Sequence, residues 1–287
     1  MNNEQRVLAC VDKSRFANYV ADYAAWAALR LQAPLEFLHI IDLQQDAVTI
    51  ADRSGAIGID AKEQLLNELT DDDEARNRLA REQGRVFLTE LRERALAMGV
   101  ESPDIRQRHG ELQQTLREQQ DDVRLFVLGR RGESAEMTQR DLGRHVESVV
   151  RSLNKPILTV SQEFSEPGRV LIAFDGSAIT RRGVQMVADS ALFAGLPVHV
   201  LMSGKPRTDV ERHLQWARAT LEGARFEAHV EMIPGDPERV IAQAIVDYGI
   251  DMLIMGAYGH SPIRTRLFGS KTTDLLRSSR IPTLLLR

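Results

Sequence analysis

One cysteine, Cys10, stands in the whole 287-residue chain. A lone thiol excludes an intrachain disulfide framework. Free cysteine is usually a core residue, so Cys10, at the end of the first apolar run, reads as structural rather than reactive. No apolar run approaches the roughly 20 residues a membrane span needs. The N-terminus MNNEQRVLAC has no charged-then-apolar signal region. Neither sign of charge dominates: 37 Lys and Arg against 41 Asp and Glu leave a net charge of -4, which offers no argument for nucleic acid. Together these absences point to the cytoplasm. The 7 histidines have no close metal-ligand spacing, and no nucleophile elbow is present. His39, in LHII, reads as a packed strand residue. Trp26 and Trp216 read as core anchors of helical segments. What remains is a globular balance of 43% hydrophobic and 27% charged residues, enough for one large or two ordinary domains.

The chain is written twice. RVLACVDKSRFANYVADYAAWAALRLQAPLEFLHIID, from Arg6, is echoed by RVLIAFDGSAITRRGVQMVADSALFAGLPVHVLMSG, from Arg169. Arg6 aligns with Arg169, Asp12 with Asp175, Ser14 with Ser177 and Pro34 with Pro197, at one constant offset. Later, His109-Gly110-Glu111 answers Pro234-Gly235-Asp236, and Gly129 and Gly132 answer Gly256 and Gly259. Lys155-Pro156-Ile157-Leu158 answers Ile281-Pro282-Thr283-Leu284. An ordered series of this kind implies two homologous domains, residues 1–162 and 163–287, joined near Ser161 to Gly168.

In the second copy, apolar runs at Val170–Phe174, Val198–Leu201, Ala228–Ile233, Met252–Met255 and Thr283–Leu286 read as strands. Between them, Arg182–Leu192, Val210–Leu221, Pro237–Asp247 and Lys271–Arg277 have helical spacing, with proline opening the third. Such alternation implies α/β domains, each a doubly wound parallel sheet covered on both faces. The first copy carries an insert over residues 44–98. Its acidic run Asp71-Asp72-Asp73-Glu74 reads as a solvated loop or helix start, and Ala75–Ala97 as a long helix.

The segment MGAYGHSPIRTRLFGSKTTDLL, from Met255, concentrates Gly256, Gly259, Gly269 and Ser270 after a strand. In an open parallel sheet, ligands sit beyond the carboxyl ends of the strands where the chain order reverses. Asp175-Gly176-Ser177 follows the first strand of this domain and Gly256 the fourth, so the two should lie near one another. Glycines let backbone N–H groups approach an anion, and Gly269-Ser270 begins a helix whose free N–H groups favour phosphate. The spacing is neither a Walker loop nor a dinucleotide GxGxxG. On residues alone, a flexible strand-to-helix loop with a serine cap fits as well as an anion cradle.

The segment resembles the nucleotide-binding signature of the universal stress protein family: Gly, two residues, Gly, nine residues, Gly, then Ser or Thr. Gly256, Gly259, Gly269 and Ser270 fit it without a gap, and Asp175, Gly235 and Pro282 to Leu286 fit the flanks. The chain looks like a tandem universal stress protein. The resemblance implies that the second domain binds ATP, with or without Mg²⁺. Gly256, Gly259, Gly269 and Ser270 would cradle the phosphates, with Lys271, Thr272 and His260 adding contacts. Asp175, with Gly176 and Ser177, would approach the ribose or adenine. Leu201, Met202 and Ile233 would line the base pocket. Arg264 and Arg266 fall in the loop crossing the phosphates and are equally well read as solvent-facing charge. The first domain departs from the signature: ten residues separate Gly132 from Gly143, and Arg144 holds the hydroxyl position. That domain should bind ATP poorly, or take a different anion through Arg144.

Two function classes compete. One is a stress-response sensor or regulator whose ATP occupancy shifts conformation or the choice of a protein partner. The other is a slow ATPase or phosphotransferase, for which no clear base is apparent. A pure scaffold reading fits the first domain and not the second. The resemblance further implies that the domains pair through their last strands, Ile157–Val160 beside Leu284–Leu286, as an intrachain pseudo-dimer that covers two sheet edges. A homodimer of whole chains is left open.

Overall fold

The computed structural model describes residues 5–41, 59–130, 144–205, 207–257 and 279–287, without the side chains of 59–77, 144, 145 and 147. The first domain contributes strands β1 (Arg6–Val11), β2 (Leu35–Ile41), β3 (Asp104–His109), β4 (Val123–Gly129) and β5 (Ile157–Val160). Its helices are α1 (Ala17–Leu31), α2 (Ile59–Ala97), α3 (Leu112–Gln119) and α4 (Arg144–Ser152). The second contributes β6 (Val170–Phe174), β7 (Val198–Gly204), β8 (Ala228–Pro234), β9 (Met252–Gly256) and β10 (Thr283–Leu286). Its described helices are α5 (Ala178–Asp189), α6 (Val210–Gly223) and α7 (Pro237–Asp247).

These strands form one sheet in the order β3-β2-β1-β4-β5-β10-β9-β6-β7-β8. Every pairing within a domain is parallel, as buried runs such as Val170–Phe174 require. The exception is the seam, where β5 and β10 pair antiparallel with Leu284 opposite Leu158 and Leu285 opposite Ile157. The expected pairing through the last strands is therefore present, and each strand covers the other's edge.

Side chains alternate between two cores. One face of the sheet packs under α1, α2, α5 and α6 and runs continuously through both domains, from Leu35 and Trp26 to Leu221. The other packs under α3, α4 and α7. The connecting segment docks on the first domain: Phe164 meets the Tyr23 ring edge-on at 4.9 Å, and Ser165 exchanges backbone contacts with the Tyr23 hydroxyl. Arg30 donates across the domains to the Leu192 carbonyl at 3.2 Å.

Several elements run one to three residues past their expected ends, and two helices differ more. Helix α5 begins at Ala178 rather than Arg182, because the Ser177 hydroxyl caps it by accepting from the Thr180 N–H; Ala191–Phe193 forms a separate 3₁₀ turn. The acidic run Asp71–Glu74 is neither a loop nor a helix start. It lies inside the 39-residue α2, because the preceding AKEQLLNEL is rich in strong helix formers. The helix expected at Lys271–Arg277 lies outside the described residues.

Candidate functional site

The switch in strand order falls between β6 and β9, where the chain leaves β6 toward β7 on one side and arrives at β9 from the far edge. Ala173 of β6 pairs with Met255 of β9. Asp175 therefore stands two residues beyond this pair and Gly256 one beyond it, at adjoining strand ends. The first turn of α5 closes over the same point. A Cβ on Gly256 would lie 3.2 Å from Ile179 Cγ2, so glycine there keeps the strand end open.

Asp175 is fixed by its neighbours. Its Oδ1 accepts from the Ser177 N–H at 2.9 Å and the Thr180 hydroxyl at 2.7 Å. The repeat preserves the arrangement, since Asp12 Oδ1 accepts from the Ser14 N–H at 3.2 Å and the Ser14 hydroxyl at 2.5 Å. Gly176 holds a left-handed φ of 77°, and a Cβ on it would lie 2.9 Å from the His213 ring. A Gly176→Ala variant should lose about 2 kcal/mol of stability, from the left-handed penalty and displacement of His213. Thermal unfolding checks this; an unchanged midpoint would show that the loop relaxes freely.

His213 belongs to a collar that sequence reasoning missed. Arg207 donates to the Asp175 carbonyl at 3.3 Å and to Asp209 Oδ1 at 3.1 Å. His213 Nε2 meets Asp209 Oδ2 at 3.1 Å, and its Nδ1 meets Arg181 Nη2 at 2.9 Å. A guanidinium only donates, so Nδ1 accepts and Nε2 carries the proton shared with Asp209. Desolvation pushes the Asp209 carboxyl up, but donation from Arg207 and His213 outweighs it and holds the carboxyl below its ordinary range. Arg181 also lies 4.7 Å above the Trp216 ring, which stacks on Phe174. Trp216 is thus a packing anchor, as expected. The i,i+4 spacing of Asp209 and His213 was the available signal.

Met202 is 3% exposed and faces the core under α5 and α6, while Leu201 and Ile233 face the opposite side. Leu201 and Ile233 thus share a wall that Met202 does not join. Gly259, His260, Gly269, Ser270, Lys271 and Thr272 lie outside the described residues, as do Arg264 and Arg266.

In the first domain, Cys10 is the last residue but one of β1 and pairs with Leu128 of β4. Burial, reinforced by the Glu36 carboxylate, pushes its thiol far above the ordinary value, which fits a structural cysteine. His39 is 8% exposed, meets the Val11 carbonyl through Nδ1 at 3.0 Å and packs against Phe87. Arg130, directly after Gly129 at the end of β4, turns across the seam. It is 3% exposed and donates to the Ile281 carbonyl and the Thr283 hydroxyl, each at 2.9 Å, and to the Ser279 carbonyl. Among the described residues, no cluster of His, Cys, Asp or Glu could hold a metal, and no helix is long and apolar enough to cross a membrane.

A sequence model of the universal stress protein family matches residues 4–161 and again 167–287. The chain belongs to the universal stress protein family. It is a tandem member, with two matched segments in one chain. Universal stress protein Slr1230 of Synechocystis is 35% identical over 286 residues, covering 99% of this chain and all of that protein. A universal stress protein of Archaeoglobus fulgidus superposes with a TM-score of 0.70 at 17% identity, covering 99% of this chain and 97% of the other. A Pseudomonas aeruginosa structure described as a putative universal stress protein superposes with a TM-score of 0.63, also at 17% identity, covering 98% and 92%. At those identities the structural likeness speaks for the fold.

Proposed function

We propose that this tandem universal stress protein is a cytoplasmic ATP-binding sensor with one competent domain. Residues 163–287 hold the nucleotide, and residues 1–162 do not. The carrying observation is the convergence of the fixed Asp175-Gly176 loop and the open end of β9 at Gly256, on adjoining strands at the switch point. Asp175, Gly176 and Ser177 meet the ribose or adenine. Leu201 and Ile233 line the base from one face, with Met202 backing the strand end from the other. Gly256, Gly259, Gly269 and Ser270 cradle the phosphates, with His260, Lys271 and Thr272 beside them and Mg²⁺ neutralising charge.

The chemistry of the site fits binding better than turnover. The Asp175 Oδ1 is already engaged by Ser177 and Thr180, so the carboxylate is a positioning acceptor rather than a poised base. Occupancy then acts by favouring one arrangement of the chain over another, and hence one protein partner over another.

Calorimetry on ligand-stripped protein, with and without Mg²⁺, tests the reading. One ATP per chain is expected, with affinity at least about tenfold weaker in Gly269→Val, where a side chain blocks backbone approach. Two equal sites would overturn the assignment of a silent first domain, and unchanged affinity in Gly269→Val would overturn the cradle.

A further inference from the structure

The long helix α2 lays a row of cations along the outer edge of the first domain. Arg78, Arg81 and Arg85 recur at helical spacing and so share one face. With Leu79 and Glu82 they overhang Gln107 and His109 at the end of β3, enclosing an open groove of about 760 Å³. That lies within the range of small-ligand sites. Close approach is possible because Gly84 faces the strands: a Cβ there would lie 2.1 Å from Gln107 Nε2 and 3.2 Å from the His39 ring.

The charge in this groove is poorly balanced. Elsewhere in the domain, Arg6, Arg94, Arg106 and Arg108 meet carboxylates, while Arg30, Arg124 and Arg130 meet backbone carbonyls. Arg6 and Arg106 both meet Glu36 at 3.0 Å, Arg94 grips Asp22 through two contacts, and Arg108 lies 3.9 Å from Glu118. In the groove, among the described residues, only Arg85 has an acid, Glu82, at 2.6 Å. Arg81 donates Nε to His109 Nε2 at 3.1 Å and meets no carboxylate among the described residues. Arg78 has no partner among the described residues. Like charges three and four apart on a helix oppose its stability, so an unbalanced row of this kind is explained if an anion completes it.

We propose that this groove is a second binding site, for a small phosphate-bearing ligand, independent of the ATP reading. The guanidinium forks of Arg81 and Arg78 match phosphoryl oxygens in pairs. Leu79, more than half exposed at 59%, supplies an apolar wall for the body of the ligand. Glu82 acts as an internal competitor that holds Arg85 until a stronger anion arrives. The site lies beside β3, two strands away from the β1/β4 switch point where the degenerate nucleotide pocket would be. It arises from the helix that stands where the second domain has the shorter crossover α6, and the described residues of that domain hold no counterpart.

The test is calorimetric titration of inorganic pyrophosphate into the full chain in a Gly269→Val background, which weakens the second-domain cradle. One site per chain is expected, with affinity falling as salt rises. Arg78→Gln with Arg81→Gln should weaken it about tenfold or more, since hydrogen bonds from charged donors are lost. Both positions are exposed and glutamine is a good helix former, so the fold is retained. Glu82→Gln should tighten it by releasing Arg85. Absence of binding, equal affinity after the double replacement, or capture of poly-glutamate in preference to pyrophosphate would overturn the proposal.

Discussion

Arg130→Ala is expected to lower the unfolding temperature of the chain by about 10 °C. Arg130 is a long cation with almost no exposure, and it is spent on a place that neither domain owns. Its backbone N–H donates to the Val160 carbonyl at 2.6 Å, which anchors it to β5. Its guanidinium reaches the Ser279 and Ile281 carbonyls and the Thr283 hydroxyl, on the approach to β10. Truncation would leave the Ser279 and Ile281 carbonyls facing an emptied space, though the Thr283 hydroxyl still donates to Ile281 at 3.2 Å. Losing charge-assisted bonds and stranding buried acceptors costs about 3–4 kcal/mol. Differential scanning calorimetry reads the shift directly. Arg130→Lys should recover only a small part, because an ammonium lacks the planar fork that spans three acceptors. A change of less than about 2 °C in Arg130→Ala would show that the seam is held without it.

Arg130 also marks a difference between the two copies. The matching position in the second copy is Ala257, buried and bonded through its N–H to the Leu286 carbonyl at 2.7 Å. The backbone role is therefore common to both copies, and the side chain is not. One copy keeps a small residue beside its glycines. The other uses the position to brace the end of the segment that, in the second domain, carries Gly269 and Ser270.

Much of the architecture is legible in the order of the residues. Strand and helix periods alternate clearly in the second copy, and β10 and α7 match their expected limits residue for residue. The repeat offset aligns Asp12 with Asp175, and both carboxylates hold the serine two residues on. The seam was expected from the family resemblance, which implies pairing through the last strands, and the Pro-plus-apolar strand that closes each copy marks where it falls. What stays hidden is tertiary. Arg181, Arg207, Asp209 and His213 come from two helices and the segment before one of them, and no linear spacing joins all four. The extent of α2 is obscured by four consecutive acids, which a long solvated helix tolerates. The face alternation of Leu201 and Met202 follows from strand geometry, but which face meets which helix depends on the crossovers.

The second large effect concerns the seam itself. Residues 163–287 produced alone should form a homodimer rather than a monomer. In the whole chain Thr283, Leu284 and Leu285 are essentially inaccessible, and β5 covers the outer edge of β10. Removing the first domain bares that edge, with its unpaired N–H and C=O groups and three consecutive leucines, a template for strand addition. A second copy can fill it, because β5 and β10 occupy equivalent positions in the repeat and already pair antiparallel about a local two-fold. The replacement is imperfect: the fragment carries Ala257 where the missing domain has Arg130, so no guanidinium clasps the new seam. The dimer should therefore dissociate on dilution. Light scattering coupled to size exclusion should find twice the fragment mass at high concentration, with Leu284→Lys giving monomer by placing a charge on the shared edge. A folded monomer at every concentration would mean that the covered edge contributes little, and that the domains stay together through Tyr23, Arg30 and the continuous core beneath α1 and α5 instead.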